Sequence, residues 1–199
     1  MDIRKILLLA VVATVLFSCC VEEYQERYKA KVVRVIDGDT IVVRFDGKTE
    51  RVRLIGVDTP ETKPKRNKPF EYDSITNLTY LAEWGLKAKN FTKRTLEGKT
   101  VELEFDRSAG LRDKYGRLLA YVYINGTDFN ALLIKEGYAR VFVTNFKKLN
   151  HYLKLEREAM EKGIGLWSIT KLDVTAVLIG KNVKMSGITI TWDACRQAC

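Results

Sequence analysis

The sequence predicts a mainly β domain with helices added, an α+β fold built on a five-stranded barrel with three helices. Three observations predict it. Apolar and β-branched residues alternate with polar ones in five short runs, the period of half-buried strands. Three other stretches place apolar residues at helical spacing, one after the third strand and two after the fifth. The composition, 46% hydrophobic and 30% charged over 199 residues without repeats or low-complexity tracts, suits one well-packed domain with extensions.

Taken in order, Met1–Cys20 reads as an export signal, with Arg4 and Lys5 ahead of the nearly all-apolar run Ile6–Phe17. That run is shorter than the roughly 20 residues a membrane-spanning helix needs. Its end, Leu16-Phe17-Ser18-Cys19, resembles a lipoprotein processing box, with Phe17 departing from the usual small or aliphatic residue. Cys19, or Cys20 if processing slips by one, is then the lipidated residue; a cleaved signal or an uncleaved anchor is the alternative. Each version places the remainder outside the membrane, secreted or held at the cell surface, with residues 21–29 as a tether.

The alternation of Lys31–Ile36 marks the first strand. Thr40–Phe45 and Glu50–Val57 flank Asp46-Gly47, a two-residue hairpin signal, and supply the second and third. The segment after Glu61 carries Lys63, Lys65, Arg66 and Lys68 among two prolines and reads as a basic loop, either a solvated surface or a rail for a phosphodiester backbone. Leu81, Trp84, Ala88, Phe91 and Leu96 define a core-facing helix stopped at Gly98, to whose apolar face no chemistry is assigned. Thr100–Asp106 and Leu118–Ile124 are the last two strands, separated by the charged loop Leu111–Arg117. Asp128 is placed to cap a short helix ending near Gly137, Ala139–Val143 is extended, and Leu149–Lys162 is the final helix, ended by Gly163. Five strands with a helix after the third match the partly open Greek-key barrel of the oligonucleotide-binding fold, here over residues 30–168. In the extension 169–199, two alternating runs precede Cys195 and Cys199, and no cysteine lies between Val21 and Ala194. In an exported chain that spacing allows a terminal disulfide without demanding it.

The net charge of +9 favours polyanionic partners: nucleic acid, anionic lipid or an acidic wall polymer. A lone histidine, His151, argues against a histidine-based zinc site and a Ser-His-Asp triad. More telling is where the charges fall around the hairpin. Asp37 and Asp39 precede the second strand, Arg53 lies within the third, and Asp58 and Glu61 follow it. Antiparallel pairing sets the start of one strand beside the end of the next, so these groups converge at one end of the sheet. Acids beside an arginine suit a hard cation and a phosphate held together. Taken singly, each has a plainer reading: Asp37 and Asp39 as turn formers, Arg53 as a surface strand residue, Arg117 as the partner of Asp113.

Ile36–Thr40 (IDGDT), Arg53–Glu61 (RLIGVDTPE) and Asp113–Arg117 (DKYGR), with the ending Gly163–Trp167, together resemble the staphylococcal-nuclease-like, or thermonuclease, family. The similarity covers about Lys29–Ser168. It implies Ca2+-dependent hydrolysis of DNA and RNA phosphodiesters, leaving 3′-phosphate and 5′-hydroxyl ends. By position, Asp39 and Asp58 match the family's calcium carboxylates, and Thr59 the residue whose main-chain carbonyl is a further ligand. Arg53 and Arg117 match its phosphate-binding arginines, Glu61 its catalytic glutamate and Tyr115 a substrate-contacting tyrosine. Lys114 is a weaker contact, and Asp37 a supporting acid. A monomer with no protein partner is expected. The segment Thr62–Tyr80 is longer than in small secreted members, and the sequons at Asn77, Asn90 and Asn125 permit glycosylation in a host equipped for it. A second function class is the same barrel holding nucleic acid or another polyanion without cutting it; the presence of all five acids and arginines of the site favours the enzyme. A third is a surface structural protein led by the C-terminal tail.

Overall fold

The structure, a computed structural model, describes residues 26–169. The expected export segment with Cys19, and the tail with Cys195 and Cys199, lie outside the described residues. Strand β1 (Arg27–Asp37) starts four residues before the alternation at Lys31. Its length lets it serve two neighbours: Arg27–Lys31 pairs with β5 (Thr100–Glu104), and Lys31–Asp37 with β2 (Thr40–Phe45). Strand β3 (Lys48–Leu54) returns beside β2 through Asp46 and Gly47, both at positive φ, as the Asp-Gly turn demands. Strand β6 (Leu118–Ile124) pairs antiparallel with β5 and, from Val52↔Leu118 to Leu54↔Ala120, parallel with β3. That last pairing closes the five strands β3-β2-β1-β5-β6 into a barrel. The two-residue strand β7 (Thr127–Asp128) extends the sheet beyond β6.

The period-2 pattern sends Val32, Ile41, Val43, Val52, Leu54, Val101, Leu103, Ala120 and Val122 into the barrel core. Helix α1 (Leu78–Leu96) is capped by Asn77, whose side chain accepts from the N–H groups of Thr79 and Tyr80. Helix α2 (Phe129–Lys135) is capped by Asp128 as expected, and α3 (Leu149–Lys162) ends at Gly163 in the left-handed conformation. A smaller core gathers Tyr72, Ile75, Leu81, Ala159, Leu166 and Trp167. It anchors the long segment after Glu61 against α1 and the end of α3.

Two features of this frame aim the site. β3 does not run on to Val57: it stops at Leu54, turns through Gly56 at φ 70°, and resumes as the short strand β4 (Val57–Asp58). β4 pairs with β8 (Arg140–Val141) in a separate two-stranded sheet. The corner is pinned from within by buried Asn130 of α2, whose amide donates to the Ile55 carbonyl at 3.0 Å and accepts from the Val122 N–H.

Candidate active site

The β2–β3 register sets Thr40 opposite Arg53, so the turn Asp37–Thr40 and the side chain of Arg53 share one end of the barrel. Asp39 is buried and its carboxylate is surrounded by donors. Oδ1 accepts from the Thr40 hydroxyl at 2.9 Å, and Oδ2 from the Thr59 N–H and hydroxyl at 3.0 Å each. The Arg53 guanidinium pairs with Asp39 through Nη1 and with Asp58 Oδ1 through Nη2, at 2.9 Å in the second case. One planar cation thus bridges two carboxylates that are 19 residues apart in sequence. Burial pushes the Arg53 guanidinium below the ordinary arginine range; the Asp58 charge opposes that shift and the Arg117 charge adds to it. The other oxygen of Asp58 accepts from Arg140 Nε at 2.9 Å, and Arg140 is in turn tied to the carbonyl and carboxylate of Glu71.

Glu61 follows β4 with its side chain 47% exposed and Arg66 Nη1 4.0 Å from Oε2. Its carboxyl is raised above the usual range, first by partial burial and then by the charges of Asp37 and Asp58, with Arg66 and Arg53 opposing. Asp113 organises the loop before β6. Its Oδ1 accepts the N–H groups of Tyr115 and Arg117, and Oδ2 accepts Arg117 Nε at 2.6 Å. The pairing of Arg117 with Asp113 is therefore real, and Arg117 faces the cleft all the same. A cleft of about 250 Å³ is lined by Asp37, Asp39, Arg53, Asp58, Thr59, Glu61, Tyr115 and Arg117, with Thr40 and Pro60.

Eight of the ten sequence-predicted residues thus meet in one cleft. Lys114 does not line it; it sits exposed in the same turn with Nζ 5.1 Å from the Tyr115 ring centre. Cys19 falls outside the described residues. Sequence reasoning missed Thr40, Arg140, Asn67 and Gly85. Arg140 carried the one available signal, a charge inside a short apolar strand, the same signal that exposed Arg53.

The cleft groups that could hold a cation are oxygen donors, the carboxylates of Asp39 and Asp58 foremost. That set suits a hard ion, and the two acids are already arranged around positive charge, that of Arg53. Among the described residues no three His, Cys, Asp or Glu side chains are grouped as metal ligands, so the set is thin.

A five-stranded oligonucleotide-binding barrel with acids and arginines converging in one cleft defines the class of protein. The family model described as Staphylococcal nuclease homologue matches residues 51–169, more than half of the chain, and the chain belongs to that family. An uncharacterized protein of Methanocaldococcus jannaschii is 49% identical over 152 residues, 72% of this chain and 73% of its own. A thermonuclease of Staphylococcus intermedius is 45% identical over 138 residues, 68% of this chain and 74% of its own. An endonuclease of Bacillus subtilis is 40% identical over 138 residues, 68% of this chain and 59% of its own.

Proposed function

We propose that this protein is a nuclease that hydrolyses phosphodiester bonds of DNA or RNA with the help of Ca2+, leaving 3′-phosphate and 5′-hydroxyl ends. The observation that carries the reading is the convergence of Asp39, Asp58, Arg53, Arg117 and Glu61 on one cleft. Phosphodiester hydrolysis adds negative charge to a phosphorus group that already bears one, so the site must supply positive charge where it grows. Arg53 and Arg117 would hold the phosphate oxygens with the planar forks that a lysine lacks, Arg53 giving up its pairs with Asp39 and Asp58 as a cation takes those carboxylates. Asp39, Asp58 and the Thr59 carbonyl would hold the ion, with Asp37 in support. Bound there, it would supply Lewis-acid stabilisation and lower the pKa of water. Glu61, which lines the cleft, positions and deprotonates the attacking water. Exposed Tyr115 lines the cleft, where it would contact a substrate phosphate, and Lys114 adds charge outside the cleft. All these groups address phosphate, which favours cutting with little base preference.

Export belongs to the same proposal. A thinly ligated calcium site, binding in the range of about 10⁻⁴–10⁻³ M, suits an extracellular protein, and the apolar run Ile6–Phe17 ahead of Cys19 would supply the route out of the cell, as a lipidated anchor or as a cleaved or retained signal. We take the working form to be a monomer.

The test is to incubate the purified chain with single-stranded DNA, with Ca2+ or with chelator, beside Glu61→Gln. Cleavage that requires Ca2+ and falls about 10²–10⁴-fold in the variant supports the assignment of Glu61. DNA that binds but stays intact across a series of divalent ions makes the chain a polyanion-binding barrel.

A further inference from the structure

We propose that Asn67 is the positioning residue for Glu61, acting through the main chain that carries the glutamate; this rests on the role given to Glu61 above. Asn67 stands out in its loop. Lys63, Lys65, Arg66, Lys68 and Pro69 around it are exposed, whereas Asn67 is buried at 5%. A buried amide must spend its donors and acceptor on partners, and Asn67 spends them almost entirely on one residue. Its Oδ1 accepts the Glu61 N–H at 2.8 Å, its Nδ2 donates to the Glu61 carbonyl at 2.9 Å, and the same Nδ2 reaches the Lys63 carbonyl at 3.3 Å.

The first two bonds are the pair that a neighbouring antiparallel strand would give. Glu61 lies just past the end of β4, where no strand is left to supply them. The asparagine side chain replaces that strand. Its own backbone is fixed by the short 3₁₀ turn Pro64–Arg66, with the Asn67 N–H donating to the Pro64 carbonyl at 3.0 Å. Helix α1 closes on the same peptide. A Cβ on Gly85 would stand 2.4 Å from the Pro60 carbonyl oxygen and 2.7 Å from that of Glu61. The Glu61 peptide is therefore held by an amide fork and fitted against a glycine, while its carboxylate extends toward Arg66. No bond joins the Asn67 side chain to that carboxylate. Its effect is on where the side chain starts, and a displacement of about 1 Å at a reacting group can cost 10²-fold in rate.

The experiment is a double-mutant cycle with Glu61→Gln on single-stranded DNA in saturating Ca2+, read below each variant's melting temperature, with thermal unfolding followed alongside. In the otherwise native chain, Asn67→Ala is expected to lower kcat about 10–100-fold. KM should move less than about threefold, since the phosphate arginines are untouched. In the Glu61→Gln background the same change should lower kcat by less than about twofold, because the group it positions is already gone. Asn67→Asp keeps the volume and the acceptor but turns a repelling oxygen on two carbonyls; it should follow Asn67→Ala, and it serves if the alanine variant does not fold. A kcat loss of the same size in both backgrounds, or one carried by KM, overturns the proposal and leaves Asn67 a loop-stabilising residue. If instead Glu61→Gln cleaves like the native chain, the role of Glu61 fails first, and the positioning role with it.

Discussion

At the scale of single residues, Arg53 sets the electrostatics of the cleft. Its side chain is 15% exposed, and it lies between two carboxylates exposed by 9% and 19%. Removing one partner from such a group leaves charge that water reaches poorly, which costs far more than the net worth of the pair. Arg53→Ala should therefore destabilise the chelated protein by about 3 kcal/mol or more, since Asp39 and Asp58 then face each other without their shared cation. Arg53→Lys should recover only part of this, because a single ammonium cannot span both carboxylates as the guanidinium fork does. Urea unfolding of the three proteins in chelator checks the order. A loss below about 1 kcal/mol in the alanine variant, the value usual for exposed pairs, would mean that Arg140 alone suffices to hold Asp58.

At the scale of elements, α1 is the backplate of the site. Gly85, Ala88 and Thr92 fall on one face of the helix and are all buried. Gly85 admits the Pro60–Glu61 peptide, Ala88 lies against Gly38 in the turn before Asp39, and Thr92 Oγ1 donates to the Gly38 carbonyl at 2.6 Å. One helix thus fixes both loops that carry the acids. Apolar spacing found this helix and counted Ala88 on its core face, but it passed over Gly85 and Thr92, small residues that let the two loops approach. Gly85→Ala separates the two effects. Helix propensity alone would favour alanine by about 1 kcal/mol, whereas the new methyl would meet main-chain carbonyls that cannot step aside. The variant is expected to be less stable by about 1–2 kcal/mol, and to lose cleavage beyond what the stability change explains. Thermal unfolding with kcat on single-stranded DNA gives both numbers; a more stable, fully active variant would show that the helix is free to shift.

At the scale of the whole molecule, what could be read in advance divides by the range of the contact. The barrel was legible because strand alternation and the Asp-Gly turn are local, and the meeting of Asp39, Arg53 and Asp58 followed from one hairpin and its continuation. The bonds from Arg140 to Asp58 and from Asn130 to Ile55 were not legible, since they join residues 82 and 75 positions apart that no local pattern links. The same holds for Asp106, which reads as the polar end of a strand and proves to be a buried junction. Its carboxylate accepts from the Tyr121 hydroxyl at 2.7 Å, the Lys147 N–H at 2.7 Å and the Ser108 N–H at 2.8 Å, tying β6 and the entry to α3 to the end of β5. Burial alone would raise its pKa, but these hydrogen bonds outweigh it and hold the carboxyl below the usual aspartate range. A group depressed in the folded state adds stability that is fully present above its unfolded pKa of about 3.9 and is lost as pH falls through the lower folded value. Asp106→Asn keeps the shape but gives up the charge, so it should cost about 2 kcal/mol at pH 7, the scale of hydrogen bonds to a charged group. The gap between native and variant stability should stay constant down to about pH 5 and shrink below pH 4, as protonation brings the native carboxyl toward the variant's state. Urea unfolding of both proteins at pH 7, 5 and 3.5 reads this directly. A gap unchanged at pH 3.5 would mean that packing at this junction, rather than the ionised carboxylate, fastens α3 to the barrel.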